Sequence, residues 1–209
     1  MTPATIDQLR RSPRQARSRD RVEGFLDAGD ALLAAEGSSG LSTVRVAQEA
    51  GASIGTLYHW FPDKEAIAEA LALRYWGELA AVVAAVADDI EAGLDEDPVD
   101  VVIDALAAGF RERPGFLALW YGDLRSEQIR DATRPTRGNV QGSIERILAV
   151  AHPDAGPALR ATVARVVVLI GDGALREAFR LANDGDPVVL SECRHALRVY
   201  VESRLGKRS

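Results

Sequence analysis

Few side chains in this 209-residue chain are of the types that do covalent or redox chemistry, and their spacing works against it. His59, His152 and His195 are scattered, and no metal-binding pair at i, i+4 accompanies them. The single cysteine, Cys193, can form neither an intrachain disulfide nor a zinc site built from several thiolates. Gly51 to Gly55 lacks the Lys-Ser/Thr ending of a phosphate loop, and Gly171-Asp172-Gly173 lies inside a helical pattern, unlike a dinucleotide fingerprint. No catalytic residue, metal or cofactor is therefore expected.

The residues that remain suit noncovalent chemistry with phosphates and base edges. Arg10 to Arg21 holds six arginines against Asp20 alone. Such an arm is either a solvated tail or an electrostatic foot for phosphates, which can act even in an acidic protein. Further on, two short helical segments meet at a glycine-containing turn, and the second opens on Ser53-Ile54-Gly55-Thr56, the shape of a helix-turn-helix. Its second helix would read the major groove. Gly55 allows close backbone approach, while Ile54 and the Thr56 methyl can touch thymine methyls. Leu57 and Phe61, four apart, turn to the core, and Tyr58 shares the outer face of Ile54.

The elements that must hold these residues read as helices throughout, because Val, Ile and Leu recur at three- and four-residue spacing without alternation. Val22, Phe25, Leu26, Gly29, Leu32 and Leu33 form the stripe of a first helix that ends at Glu36-Gly37. Ser42 or Thr43 caps a second through Val46 and Ala50, ended by Gly51; Ser53 caps a third from Ile54 to Trp60; a fourth starts at Lys64. A fifth is expected over Val99 to Arg113, a sixth from Pro114, and a turn or linker at Arg134 to Gly138 before a seventh at Ser143 to Val150. Pro157 opens a long eighth helix and Asp186-Pro187 a ninth. The fold class is thus all-α, about nine helices. A DNA-binding domain at 14–64, with the helix-turn-helix at about 42–61, precedes a larger helical domain at 65–209.

Residues Ala47-Gln48-Glu49-Ala50-Gly51-Ala52-Ser53-Ile54-Gly55-Thr56-Leu57-Tyr58-His59-Trp60-Phe61-Pro62-Asp63-Lys64-Glu65, with Phe25, Ala28, Leu32 and Gly37 upstream, resemble the tetracycline-repressor (TetR) family of bacterial transcriptional regulators. The resemblance covers about residues 15 to 75. It implies that Thr43 and Tyr58 donate to phosphates, that Ile54, Gly55 and Thr56 face bases or sugar-phosphate, and that His59 and Trp60 contact backbone. Lys64 would pair with phosphate, and the cap residues Ser42 and Ser53 would lie on the same surface. Bland alternatives stand beside these roles: interdomain packing for Trp60, a solvated imidazole for His59, an exposed charge for Lys64. Ala52, Val44 and Ile54 depart from the family pattern. The first leaves the turn less filled, and the other two remove donors to guanine, so readout is expected to favour thymine methyls and shape, with affinity leaning on Arg14, Arg17, Arg45 and Lys64.

The formal charge of −6, from 25 Lys plus Arg against 31 Asp plus Glu, excludes a uniformly basic coat. Residues 1 to 64 sum to zero, so the whole deficit lies in the second part. Its eighth helix is apolar around most of its circumference, which implies a second buried face and hence a homodimer. Val163, Val167, Ile170 and Ala174, with Leu197, Tyr200 and Val201 of the ninth helix, are the candidate interface. Such a dimer would set two reading helices about 34–36 Å apart on a palindromic DNA operator. Gly171 and Gly173 suggest close backbone packing there. Phe110, Phe116, Leu119, Trp120 and Tyr121 are candidate liners of a pocket for a small-molecule effector, and equally candidate core. Asp172 and Arg176 read as an ion pair. A lone cysteine and the absence of an apolar leader or 18-residue apolar run point to a cytoplasmic protein with no membrane partner. The reading is a ligand-responsive DNA-binding regulator, expected to act as a repressor; the rival is a helical dimeric interaction module that has lost sequence-specific DNA binding.

Overall fold

A computed structural model describes residues 16–121 and 127–207. Among these, nine α-helices follow in order: α1 Ala16–Glu36, α2 Thr43–Glu49, α3 Ile54–Trp60, α4 Lys64–Glu91, α5 Pro98–Glu112, α6 Pro114–Tyr121, α7 Glu127–Ala151, α8 Pro157–Leu181 and α9 Pro187–Leu205. One turn of 3-10 helix, Gly37–Gly40, follows α1. The all-α expectation holds.

The ends of the helices are where polar side chains or glycine satisfy otherwise orphaned backbone groups. Ser42 accepts the Arg45 amide at 3.3 Å, and Ser53 accepts that of Thr56 at 3.2 Å. At the far end of α2 the Ala52 amide donates to Ala47 carbonyl at 2.9 Å and the Gly51 amide to Gln48 carbonyl at 3.0 Å. That pairing requires a left-handed residue, which Gly51 supplies at φ +60°. The turn between α2 and α3 is thus held by backbone bonds, which offsets the small side chain at Ala52. Asp186 accepts from both Val188 and Val189 amides, at 2.9 and 3.0 Å, with Pro187 following as the first residue of α9. Asp186→Ala should lower stability by about 1 kcal/mol, read as a shifted denaturant midpoint with unchanged slope. No shift would show that solvent caps α9 equally well.

One expectation needs correction. Arg134 to Gly138 is no linker, since α7 runs through it with Pro135 inside. Thr133, Thr136, Val140, Ile144 and Ile147 are all buried along this helix, so burial of one stripe outweighs the missing proline amide. Two of those positions are threonines, which hid the stripe from a reading of apolar periodicity.

The described residues divide into two compact units, one from the chain up to residue 77 together with 113–134, the other from 78–112 and from 135 onward. The first half of α4, and α6, fall in the same unit as α2 and α3, whereas the sequence places its boundary at 64/65. The chain passes between units at Gly77 within α4, at the break between α5 and α6, and at Pro135 within α7. A Cβ at Gly77 would meet nothing within 4 Å, so room is not what this position needs from glycine.

In the first unit, Val22, Phe25, Leu26 and Leu33 of α1 are fully buried with Val46, Leu57, Phe61, Ile67 and Leu71. Beside this core sits a polar hub at Asp30. Tyr75 donates its hydroxyl to Asp30 Oδ1 at 2.5 Å, and Arg113 approaches Oδ2 at 3.6 Å. Arg74, itself buried, donates to Asp27 at 2.7 Å and to Leu26 carbonyl at 3.3 Å. Burial first, then the bond to Asp30, push the Tyr75 hydroxyl far above the usual phenol range. The second unit has its own core, built from Val83, Val86, Ala87 and Ile90 of α4, Val102, Ile144, Ile147, Leu148, and Val163 and Ala164 of α8. Among the described helices α4 is long and apolar enough to cross a membrane, but 61% of that stretch is buried inside the protein, as in a core helix.

Candidate nucleic-acid interface

The α2–turn–α3 segment sorts its side chains cleanly. Val46, Ala47, Leu57 and Phe61 point inward, whereas Val44, Ser53, Ile54, Gly55, Tyr58 and His59 are exposed and Ser42, Thr43, Arg45 and Thr56 half-buried. Val44, Ile54 and Tyr58, at 51%, 38% and 47% exposure, are large apolar or aromatic groups held in water on one short motif. Soluble surfaces hold such patches where something binds. Thr43 Oγ1 and Tyr58 Oη lie 3.4 Å apart, so the opening of α2 and the outer face of α3 present their hydroxyls together. Ser53 Oγ and Thr56 Oγ1 are 2.8 Å apart at the start of α3. A Cβ on Gly55 would meet only Ser53 Oγ, at 4.0 Å, so nothing inside the protein requires glycine there.

Lys64 is exposed at the first position of α4. Arg45, in contrast, is engaged: its two terminal nitrogens grip both Glu36 oxygens at 2.5 Å. The guanidinium holds the Glu36 carboxyl below its usual range by that hydrogen bond. Arg45 must therefore exchange a carboxylate for any phosphate it meets. Trp60 also differs from expectation, since it is 9% exposed and packs edge-to-face with His59, with ring centroids 5.1 Å apart. Burial of the ring is what the packing alternative expects, while the contact seen is with its neighbour His59 in α3. Arg17 lies in α1 and its side chain is outside the described set; Arg14 lies outside the described residues altogether.

The family model for the tetracyclin repressor-like C-terminal domain matches residues 95–205, and that of the bacterial regulatory proteins of the tetR family matches residues 25–71. The chain belongs to the TetR family. It is thereby a DNA-binding transcriptional regulator, in a family that is not enzymatic. No curated protein matches it. Among solved structures, a TetR-family transcriptional regulator from Streptomyces coelicolor is 28% identical, with 88% of this chain and 99% of that one covered at a TM-score of 0.66. A TetR transcription regulator from Haloarcula marismortui ATCC 43049 shares the fold at 18% identity, 90% and 99% coverage and TM-score 0.63. So does a structure described as the molecular basis for control of antibiotic production by a bacterial hormone, at 19% identity, 94% and 100% coverage and TM-score 0.64.

In this TetR-family chain the residues expected to line a pocket fall in both units. Phe110 belongs to the second unit and stacks on Phe179, with centroids 5.2 Å apart. Phe116 and Trp120 belong to the first, where they cluster with Tyr75 and Trp76 at centroid distances of 5.0 to 6.0 Å, and Leu119 is buried. Tyr121 closes α6 with its side chain outside the described set. Phe110, Phe116 and Leu119 are buried and Trp120 is half-buried. The second unit instead has a cavity of about 110 Å³ lined by none of the five. Aliphatic residues make its walls, and no spacing of Val, Ile and Leu in a sequence distinguishes a wall from a packed core.

The proposed interface residues also separate. Val163, Leu197 and Val201, at 0%, 3% and 8% exposure, are core of their own protomer, and Val167 and Tyr200 pack partly against it. Ile170 and Ala174 are half-buried. The apolar side chains in water on these helices are Leu169 (66%), Val188 (68%) and Val199 (52%). Where a helix is apolar all round, sequence alone cannot say which face turns inward. Neither Gly171 nor Gly173 has a neighbour within 4 Å of its Cβ position, so no close packing within the protomer explains them. Asp172 and Arg176 do form an ion pair, at 3.2 Å. Sequence reasoning missed the Glu36–Arg45 grip and a ladder between α5 and α9, in which Arg198 meets Asp97 at 2.8 Å and Asp100 at 2.5 Å, and Arg194 meets Asp100 at 3.3 Å and Asp104 more closely still. The ladder's signal was there: acids three and four apart on one helix, arginines four apart on the other.

Proposed function

We propose that this regulator is a cytoplasmic repressor that binds a palindromic operator as a homodimer and lets go when a small molecule binds it. The observation that carries the reading is the α2–α3 surface, where Thr43, Tyr58, Ser53 and Thr56 supply donors around an apolar reading face of Val44, Ile54 and the Gly55 backbone. Hydroxyls fix register on phosphates, and the apolar groups favour thymine methyls. Arg14, Arg17 and Lys64 would add the salt-dependent part of the affinity, and His59 a further backbone contact.

The dimer is supported by an exposed stripe on α8, where Leu169 stands beside the half-buried Val166, Ile170 and Gly173 at helical spacing, and by the exposed Val188 and Val199 of α9. Gly173 would let a second copy's backbone come close. Small-molecule control is supported by the fold shared with the structure concerned with a bacterial hormone, and by the cavity in the second unit. In this reading α4, which enters both units, carries the change to the reading helices.

Selection of bound fragments from random duplex DNA, followed by affinity at several salt concentrations, tests the proposal. A palindrome with half-sites one turn apart and a log-log salt slope of about −5 or steeper, as six or more phosphate contacts require, is the expected result. Tyr58→Phe should then weaken all sequences about equally, whereas Ile54→Ala should relax preference chiefly at thymines. Reversal of those two effects would overturn the assigned roles. Failure of folded dimer to enrich any sequence at low salt would favour the interaction-module reading, in which the exposed Val44 and Ile54 meet protein.

A further inference from the structure

We infer that the cavity of the second unit is the effector site and that its ligand is a small, neutral, largely apolar molecule about the size of one aromatic ring. For its regulatory meaning the inference rests on the operator-binding reading above; for ligand uptake it does not. The walls are Val102 and Ile103 of α5, Ile144, Ile147, Leu148 and Ala151 of α7, Val167 of α8, and Leu197 and Val201 of α9. The cavity of about 110 Å³ is open on one side, so aliphatic wall stands against water there, and a ligand that covers it gains the free energy of burying apolar surface. An engineered apolar cavity of about 150 Å³ takes up benzene, which sets the scale of the occupant.

The polar side chains lining this cavity settle the ligand's charge. Asp97, His152, Arg198 and Glu202 are the lining residues with ionisable groups. Arg198, the one permanent cation among them, already bonds Asp97 at 2.8 Å and Asp100 at 2.5 Å. Burial opposes ionisation of Asp97, but bonds from Arg198 and the Val99 amide outweigh it and hold its carboxyl below the usual range. Among the lining residues Asp97 and Glu202 stand against an Arg198 already engaged by Asp97 and Asp100, so no permanent cation is left to hold an anion. A cation drawn to these carboxylates would find aliphatic walls and no counter-charge beyond them, and a charge placed there is heavily penalised. A neutral molecule meets neither obstacle.

The inner faces of α8 and α9 form part of the wall, through Val167, Leu197 and Val201, while their outer faces carry Leu169, Val188 and Val199. Filling the cavity thus acts on the helix pair assigned to the second copy.

Melting of the full-length protein with toluene, benzoate and benzylamine tests the inference. At several times its dissociation constant toluene should raise the melting temperature by about 2–4 °C, and the two ions should not. Ala151→Phe, which fills the cavity, should abolish the rise. Ile147→Ala, which enlarges it, should shift the preference from toluene to n-propylbenzene, so the test survives misfolding of the first variant. At saturating toluene operator affinity should change by about fivefold or more in the native sequence and not in Ala151→Phe. A larger rise with benzoate or benzylamine than with toluene overturns the ligand class. No rise with any probe, or a rise that neither substitution alters, overturns the site. A toluene-dependent rise with unchanged operator affinity overturns the effector role. If no operator exists, the functional reading fails while the melting result still stands or falls alone.

Discussion

Gly115→Ala is expected to destabilise the first unit by about 3 kcal/mol, although alanine is ordinarily the better helix former. A methyl group there would overlap Asp30 Oδ1 outright and come within 2.8 Å of Tyr75 Oη and 2.9 Å of the Asp30 carbonyl oxygen. Swinging the carboxylate away would not cure the clash, because the carbonyl is main chain. It would also strip Tyr75 of its acceptor and Arg74 and Arg113 of a counter-charge. The measurement is unfolding followed both by fluorescence and by helical circular dichroism. All three tryptophans, Trp60, Trp76 and Trp120, lie in the first unit, so fluorescence should shift to lower denaturant and part from the helical signal. Gly142→Ala, whose Cβ would meet nothing within 4 Å, is the control and should be neutral or mildly stabilising. Coincident, unshifted transitions in Gly115→Ala would show that α6 does not dock on α1 through Asp30.

Phe61→Ala should cost about 3–5 kcal/mol and with it operator binding. Phe61 is fully buried, ends α3, and meets Phe25 of α1 edge-to-face with centroids 6.3 Å apart. Its removal leaves a cavity directly under the reading helix, so stability and DNA affinity should fall together. Phe61→Leu should restore most of both. A cost below about 1 kcal/mol would mean that Leu57 and Trp60 alone seat α3.

Where local chemistry decides the backbone, the sequence was readable. Ser42, Ser53 and Asp186 cap the helices they were expected to cap, or share that task with a neighbour, and Gly51 takes the left-handed turn. The reading surface was readable for a related reason. Ile54 and Tyr58 are four apart on a helix too short to bury two faces, so the face opposite Leu57 had to be the open one. What could not be read depended on partners far along the chain. Pro135 looked like a break because the burial of Thr133 and Thr136 that outweighs it is a tertiary fact. The aromatic residues drew attention as pocket liners because rings are conspicuous in a sequence, while the cavity of the second unit lies among aliphatic residues of four helices. On α8 the circumference is so apolar that only the fold shows Val163 inside and Leu169 outside.

The places where the chain passes from one unit to the other bear on the mechanics of the molecule. Each passage falls where a helix is weakest: Gly77, with its backbone latitude, the gap between α5 and α6, and Pro135, which cannot donate an amide. Along both α4 and α7 bending stiffness is therefore least at the seam and greater to either side. At Pro135 the helix lacks one amide donor, so a bend there gives up one backbone hydrogen bond fewer than elsewhere along α7.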